Sequence, residues 1–150
     1  MPVDGRFRDY YWKLRTFLAT KAAILDEEHD EYSFPEDDDP AYYTHHLEGC
    51  LIFSDGTRLV FEFELALDES YEVIEQTYFY GYYDRQGERV FQYDNAPHHP
   101  HLKTHPHHVH KGPRPREGKD EAFDTDLTKV SFIAVVSKIE RMYFEDEISK

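Results

Sequence analysis

Apolar residues change period twice along this chain. From Gly5 to Asp26, the residues Phe7, Tyr10, Tyr11, Leu14, Phe17, Leu18 and Leu25 recur at helical spacing, opposite Arg8, Lys13, Arg15 and Lys21. That pattern predicts a first helix, with Asp4 placed to cap it. Between Tyr43 and Tyr93 the period falls to two. Leu59, Phe61, Phe63, Leu65 and Leu67 occupy odd positions while Arg58, Glu62 and Glu64 take even ones, which predicts a strand with one wet face. Upstream, Asp55-Gly56 separates two apolar runs and predicts a type I′ hairpin, because both turn positions would need positive φ. A third strand, Tyr71 to Asp84, carries aromatics on both parities and is expected to be covered on both faces; a fourth runs from Glu88 to Tyr93. Near the C-terminus Leu127, Val130, Ile133, Ala134, Ser137 and Arg141, widened by Val136, Ile139, Met142 and Phe144, mark a second helix capped by Asp124 or Asp126.

The order helix, meander, loop, helix has no βαβ alternation, so the expected class is α+β with an antiparallel sheet of four or more strands. One domain over residues 1–150 is expected, with an acidic surface loop at 27–41, broken by Pro35 and Pro40, and a His/Pro-rich loop at 94–120. With 12 Tyr and 11 Phe the chain has aromatic bulk to fill a core. There is no repeat and no Gly-rich phosphate cradle.

Charge narrows the chemistry. The net charge of -14 argues against nucleic-acid binding through bulk electrostatics, but the nine acids between Asp26 and Asp39 supply most of it. From His98 to Asp120, five bases oppose two acids, and seven of the ten histidines lie there. A single cysteine, Cys50, excludes a disulfide scaffold and a Cys-based zinc set, and reads as a small buried hydrophobe. No apolar run is long enough for a membrane helix and no signal region opens the chain, so a cytoplasmic protein without membrane partners is expected.

The informative stretch is YDNAPHHPHLKTHPHHVHKG, from Tyr93 to Gly112. Prolines 97, 100 and 106 predict an extended, semi-rigid path that displays the histidines. Residues two apart share a face of such a path, so His99 with His101 and His108 with His110 pair to grip one ion or one phosphate, and Asp94 is placed to orient one of them.

That stretch, with YFYGYYDRQGERVFQ before it and more loosely LIFSDGTRLVFEFE and the C-terminal helix, resembles the TumE-type toxins of prokaryotic toxin-antitoxin modules. The likeness runs from Leu47 to Tyr143. His105 stands where the family pattern commonly has an aromatic and Val109 where it has a Lys, so a chemical role for that Lys would pass to Lys111 or Lys103. The resemblance implies a small toxin partnered by a DNA-binding helix-turn-helix antitoxin.

Three readings of the residues stay open. In the first, a metal-independent endoribonuclease without cofactors, His108 and His110, with His107, transfer protons, and Lys111 and Arg89 hold the phosphate. Tyr93 or Tyr82 would stack a base, and Asn95, His98 and His99 complete the substrate contacts. In the second, His99, His101, His108 and His110 hold zinc or another divalent ion whose bound water hydrolyses phosphate or ester bonds. The third is a non-enzymatic interaction module using the aromatic sheet and the acidic loop.

Overall fold

The computed structural model of the chain describes residues 5–29, 31–34 and 45–145. The expected cap Asp4 and most of the acidic segment 27–41 lie outside the described residues. The elements are α1 (Arg6–Ala19), β1 (His45–Ile52), β2 (Arg58–Leu67), β3 (Val73–Tyr83), β4 (Arg89–Asp94), β5 (His108–Lys111) and α2 (Phe132–Tyr143). The strands form one antiparallel sheet in the order β1-β2-β3-β4-β5, which gives the expected α+β class.

Strand parity explains the layers. Gly49, Phe61, Tyr80, Tyr93 and Val109 are in register across all five strands, and the last four are buried. Both helices cover that face. Phe132 of α2 packs edge-on against Phe61, with ring centroids 5.0 Å apart, and against Phe63 and Tyr80. Phe7 of α1 stacks on His45, the register partner of Leu65. Fully burying one such aromatic contributes about 2–3 kcal/mol, and the covered face holds more than ten of them or their aliphatic equivalents. Among the described residues both helices lie on this face, so no helix covers the other face of the third strand, which was expected to be covered on both.

The three hairpin turns share one design, which differs from the type I′ turn expected at Asp55-Gly56. In the first hairpin the Gly56 amide donates to the Phe53 carbonyl and only Gly56, not Asp55, has positive φ. This is a type I turn closed by a left-handed residue, not type I′. The left-handed position is Gly87 in the β3–β4 hairpin and Tyr71, at φ 61°, in the β2–β3 hairpin.

The helix ends also differ from expectation. Gly5 stands at the N-cap of α1 with no side-chain cap bond, and the helix stops at Ala19 rather than near Asp26. Leu25 instead bridges to Phe53. Helix α2 begins at Phe132, where the Ser131 hydroxyl accepts from the Ala134 amide at 3.1 Å. Asp124 and Asp126 cap nothing: the first accepts from the Thr104 amide, the second from Tyr93 and Lys138. In the acidic segment, Glu31 bridges to Cys50 and Phe34 is buried against Phe61 and Phe132. Gly49 permits that crossing, since a Cβ there would meet Tyr32 at 2.5 Å and the Glu31 carbonyl at 2.8 Å. Cys50 is buried and its thiol is pushed up by that burial.

Candidate functional site

One residue out of step with the covered row, Glu48, Glu62, Phe79, Asp94 and His108 form a row on the opposite face, which no described helix covers. After Asp94 the chain turns through residues 95–107 and returns as β5, opposing Asp94 to His108 and Gln92 to His110. The expected extended His/Pro loop is thus partly a fifth strand. Its period of two puts both histidine rings on the open face, where a cleft of about 700 Å³ receives them.

Hydrogen bonds fix the ring orientations. His108 Nδ1 lies 2.9 Å from the Pro106 carbonyl oxygen and His110 Nδ1 lies 3.0 Å from that of Glu121. A carbonyl only accepts, so each Nδ1 carries the proton and each Nε2 holds the lone pair when the ring is neutral. His108 Nε2 then sits 2.9 Å from Asp94 Oδ1, and His110 Nε2 3.8 Å from Oδ2. His99 reaches in from the preceding turn, its ring centroid 4.7 Å from that of His108 and 5.6 Å from that of His110. Burial, then the neighbouring His108 and His110, hold the His99 imidazole below its ordinary range. One nitrogen from each of the three rings lies within 4.8 Å of the others.

A second layer holds the first. Gln92 donates to Asp94 Oδ2 at 2.9 Å, and its own carbonyl accepts from Arg114 at 3.0 Å. Arg89, buried, grips Asp120 with two bonds of 2.7 Å and donates from Nε to the Gly112 carbonyl at 2.9 Å. Those bonds from Arg89 hold the Asp120 carboxyl below its usual range, and Asp120 Oδ2 stands 3.5 Å from His110 Nδ1. Beside this network Phe79 and Tyr83 lean over Gly81, where a Cβ would meet both rings at 3.0 Å or less. The two rings make an aromatic shelf next to Gln92, the register partner of Gly81.

Of the residues singled out in the sequence, His108, His110, Asp94, His98, His99 and Asn95 line this cleft. Asn95 is occupied at both amide ends, accepting from the Tyr78 amide and donating to the Gln76 carbonyl. The others stand elsewhere. His107 bonds Tyr78 Oη at 2.7 Å and lines a separate cleft with Glu75 and Thr125, its imidazole pushed down by burial. Lys111 lies 4.7 Å over the Phe123 ring and Lys103 is exposed in the turn. Arg89 is committed to Asp120, while Tyr93 and Tyr82 are buried under α2 and present no ring to solvent. His101 approaches His99 only, at 6.1 Å, and lies outside the trio. Arg114, Gln92, Asp120 and Phe79 were missed; the basic run around Arg114 was the one signal available.

A family model described as Toxin TumE matches residues 17–142, most of the chain, so the match begins inside α1 rather than at Leu47. No curated protein and no solved structure matches it. Among the described residues no helix is long and apolar enough to cross a membrane. The chain belongs to the TumE toxin family, and a toxin of this kind implies an antitoxin partner.

Proposed function

We propose, from this membership in a toxin family, that the protein arrests growth by cutting RNA phosphodiester bonds in the open-face cleft, working in the cytoplasm beside a helix-turn-helix antitoxin that restrains it. The observation that carries the reading is the convergence of His99, His108, His110 and Asp94 in one accessible hollow, held by two backbone carbonyls and by Gln92. Buried polar groups arranged this closely cost stability unless they serve each other or a ligand. Imidazoles suit the activation of an attacking oxygen, either by taking its proton or by holding an ion that ionises it.

Each wall of the cleft has a use on a single strand. Arg114 faces the cluster and supplies the cation that a phosphate needs. Phe79, which lines the cleft with Tyr83 beside it over Gly81, offers a base the stacking surface that the buried Tyr82 and Tyr93 do not. Of the acids lining the cleft, Asp120 is paired with Arg89, Glu62 lies 3.4 Å from His46, and Asp94 accepts from Gln92, so a polyanion does not meet them bare.

A defined single-stranded RNA incubated with the wild-type chain and with His99→Ala and Phe79→Ala tests this. Cleavage by the wild type, lost in His99→Ala and weakened in Phe79→Ala with unchanged circular dichroism, is the expected result. Intact RNA in the presence of a wild-type chain that still arrests growth on expression overturns the reading. A helix-turn-helix protein that co-purifies with the toxin and relieves its growth arrest is the expected partner; relief by a protein of another class overturns that assignment.

A further inference from the structure

We infer that His99, His108 and His110 bind one divalent transition-metal ion of the zinc class, with Asp94 alongside and one coordination position left to solvent. The ion site stands on the geometry of these rings; its service to RNA cleavage rests on the reading above.

Hydrogen-bond bookkeeping at His108 is the first reason. With Nδ1 donating to the Pro106 carbonyl, a neutral ring would set its Nε2 lone pair against the Asp94 carboxylate at 2.9 Å. Something positive belongs between them, either a proton or a metal ion. A proton placed there leaves His108 with both N–H groups committed, to Pro106 and to Asp94, and with none to pass to a substrate. It also puts a cation against the rings of His99 and His110, at 4.7 and 5.0 Å. An ion in the same place uses the lone pairs of all three.

The surroundings are those of ligands rather than of a proton relay. Metal-bound imidazoles almost always donate their second nitrogen to a carbonyl or carboxylate, which fixes tautomer and aim. His108 and His110 both do so, from side chains only 2% and 8% exposed. Around an ion with metal–nitrogen bonds of about 2.0–2.1 Å, tetrahedral ligand atoms lie roughly 3.4 Å apart. The three nitrogens already lie within 4.8 Å of one another, and His99, on the turn before β5, is the ligand free to close the remainder. Imidazole and carboxylate donors without thiolate suit zinc, cobalt or manganese, whereas magnesium and calcium favour oxygen ligands. Three protein ligands with an open position is the arrangement that ionises a bound water near neutral pH, the nucleophile or base that phosphodiester chemistry requires.

The chain is stripped with chelator, dialysed, and titrated with Co²⁺ alone and with Zn²⁺ alone, the latter against a chromophoric competitor. One ion per chain, the visible absorption of four- or five-coordinate cobalt, and a higher unfolding temperature with zinc are expected. His99→Ala and His110→Gln should each weaken zinc binding by 100-fold or more, while His101→Ala and His105→Ala leave it within twofold. His99 sits on a turn, so its variant keeps the test valid if His110→Gln fails to fold. Affinity that falls equally with any histidine removed, or no binding above that of the His99→Ala chain, overturns the site. RNA left intact by the ion-loaded chain overturns the RNA reading and leaves the ion site standing. A chain that binds no ion yet cuts RNA does the reverse.

Discussion

Two neighbouring rows of one sheet, a single residue out of step, have opposite characters. Gly49, Phe61, Tyr80, Tyr93 and Val109 face the helices, whereas Glu48, Glu62, Phe79, Asp94 and His108 face away. The first row is aromatic, interlocked with Phe132 and dry. The second carries acids, an imidazole and one ring beside an open cleft. Since the pleat allows only these two directions, every residue added to the site occupies a position unavailable to the core on that strand. The difference teaches where to cut: truncations on the covered row should unfold the protein, and truncations on the open row should disarm it.

The largest stability effect belongs to Phe132→Ala. Phe132 is fully buried and touches Phe34, Phe61, Phe63 and Tyr80, so its removal leaves a cavity between α2 and the sheet. A loss of about 3–5 kcal/mol is expected in urea unfolding. A loss below about 1 kcal/mol would mean that α2 does not hold the covered face and would dissolve the comparison.

Next comes a polar exception inside the covered layer. Glu75 accepts from the hydroxyls of Tyr10 and Tyr80 and from the Phe132 amide at 2.7 Å, joining α1, the sheet and the start of α2. Burial nevertheless pushes its carboxyl up to about 7, outweighing the bonds that favour ionisation. The folded value lies above the unfolded one of about 4.3, so the folded state binds the extra proton. Its stabilising contribution is complete below about pH 4 and is lost as pH rises to about 7. Wild-type stability should therefore fall by roughly 2–3 kcal/mol relative to Glu75→Gln between pH 4.5 and 7.5, measured by paired denaturant titrations. Parallel curves for the two chains would show that Glu75 ionises as readily as a surface acid.

On the open row the sign of the comparison reverses. His99→Ala should change unfolding free energy by less than about 0.5 kcal/mol, because the ring is half-exposed on a turn, and should abolish growth arrest. Expression toxicity and a melting curve on the same variant decide it. A destabilised but still toxic His99→Ala chain would assign the ring to packing.

What the sequence disclosed follows the same division. The alternation of Leu59, Phe61, Phe63 and Leu65 against Glu62 and Glu64 is long enough to identify β2 and its wet face. Strand β5 has four residues, and two of its buried positions are histidines, so polarity concealed it. The stripe of α2 is legible in part: the expected Val136 and Ile139 are buried, together with Phe132 and Val135, which the spacing did not mark, whereas Ile133 and Ser137 are half-buried and Arg141 is exposed. The pairing of His108 with His110 follows from period two alone. The choice of His99 over His101 as third partner depends on how the turn folds back, which is not a property of spacing. Arg89 and Tyr93 were legible as useful residue types; only the contacts with Asp120 and with Asp126 and Lys138 show that their groups are already spent.

The mildest change, which leaves growth arrest intact, tests whether the covered side can be improved without touching the open one. Tyr71 is 61% exposed and holds φ 61° at the hairpin position that Gly56 and Gly87 fill in the other two turns. A Cβ in the left-handed region costs of order 1 kcal/mol, and an exposed ring returns little of it. Its carbonyl, which accepts from Arg6 at 2.5 Å, is backbone and survives substitution. Tyr71→Gly or Tyr71→Asn should therefore raise stability by about 0.5–1 kcal/mol, with growth arrest unchanged, since the hairpin lies beside α1 and lines no part of the imidazole cleft. A stabilised chain with altered toxicity would show that the two sides of the sheet communicate, and the independence inferred from the two rows would fail at its weakest energetic link.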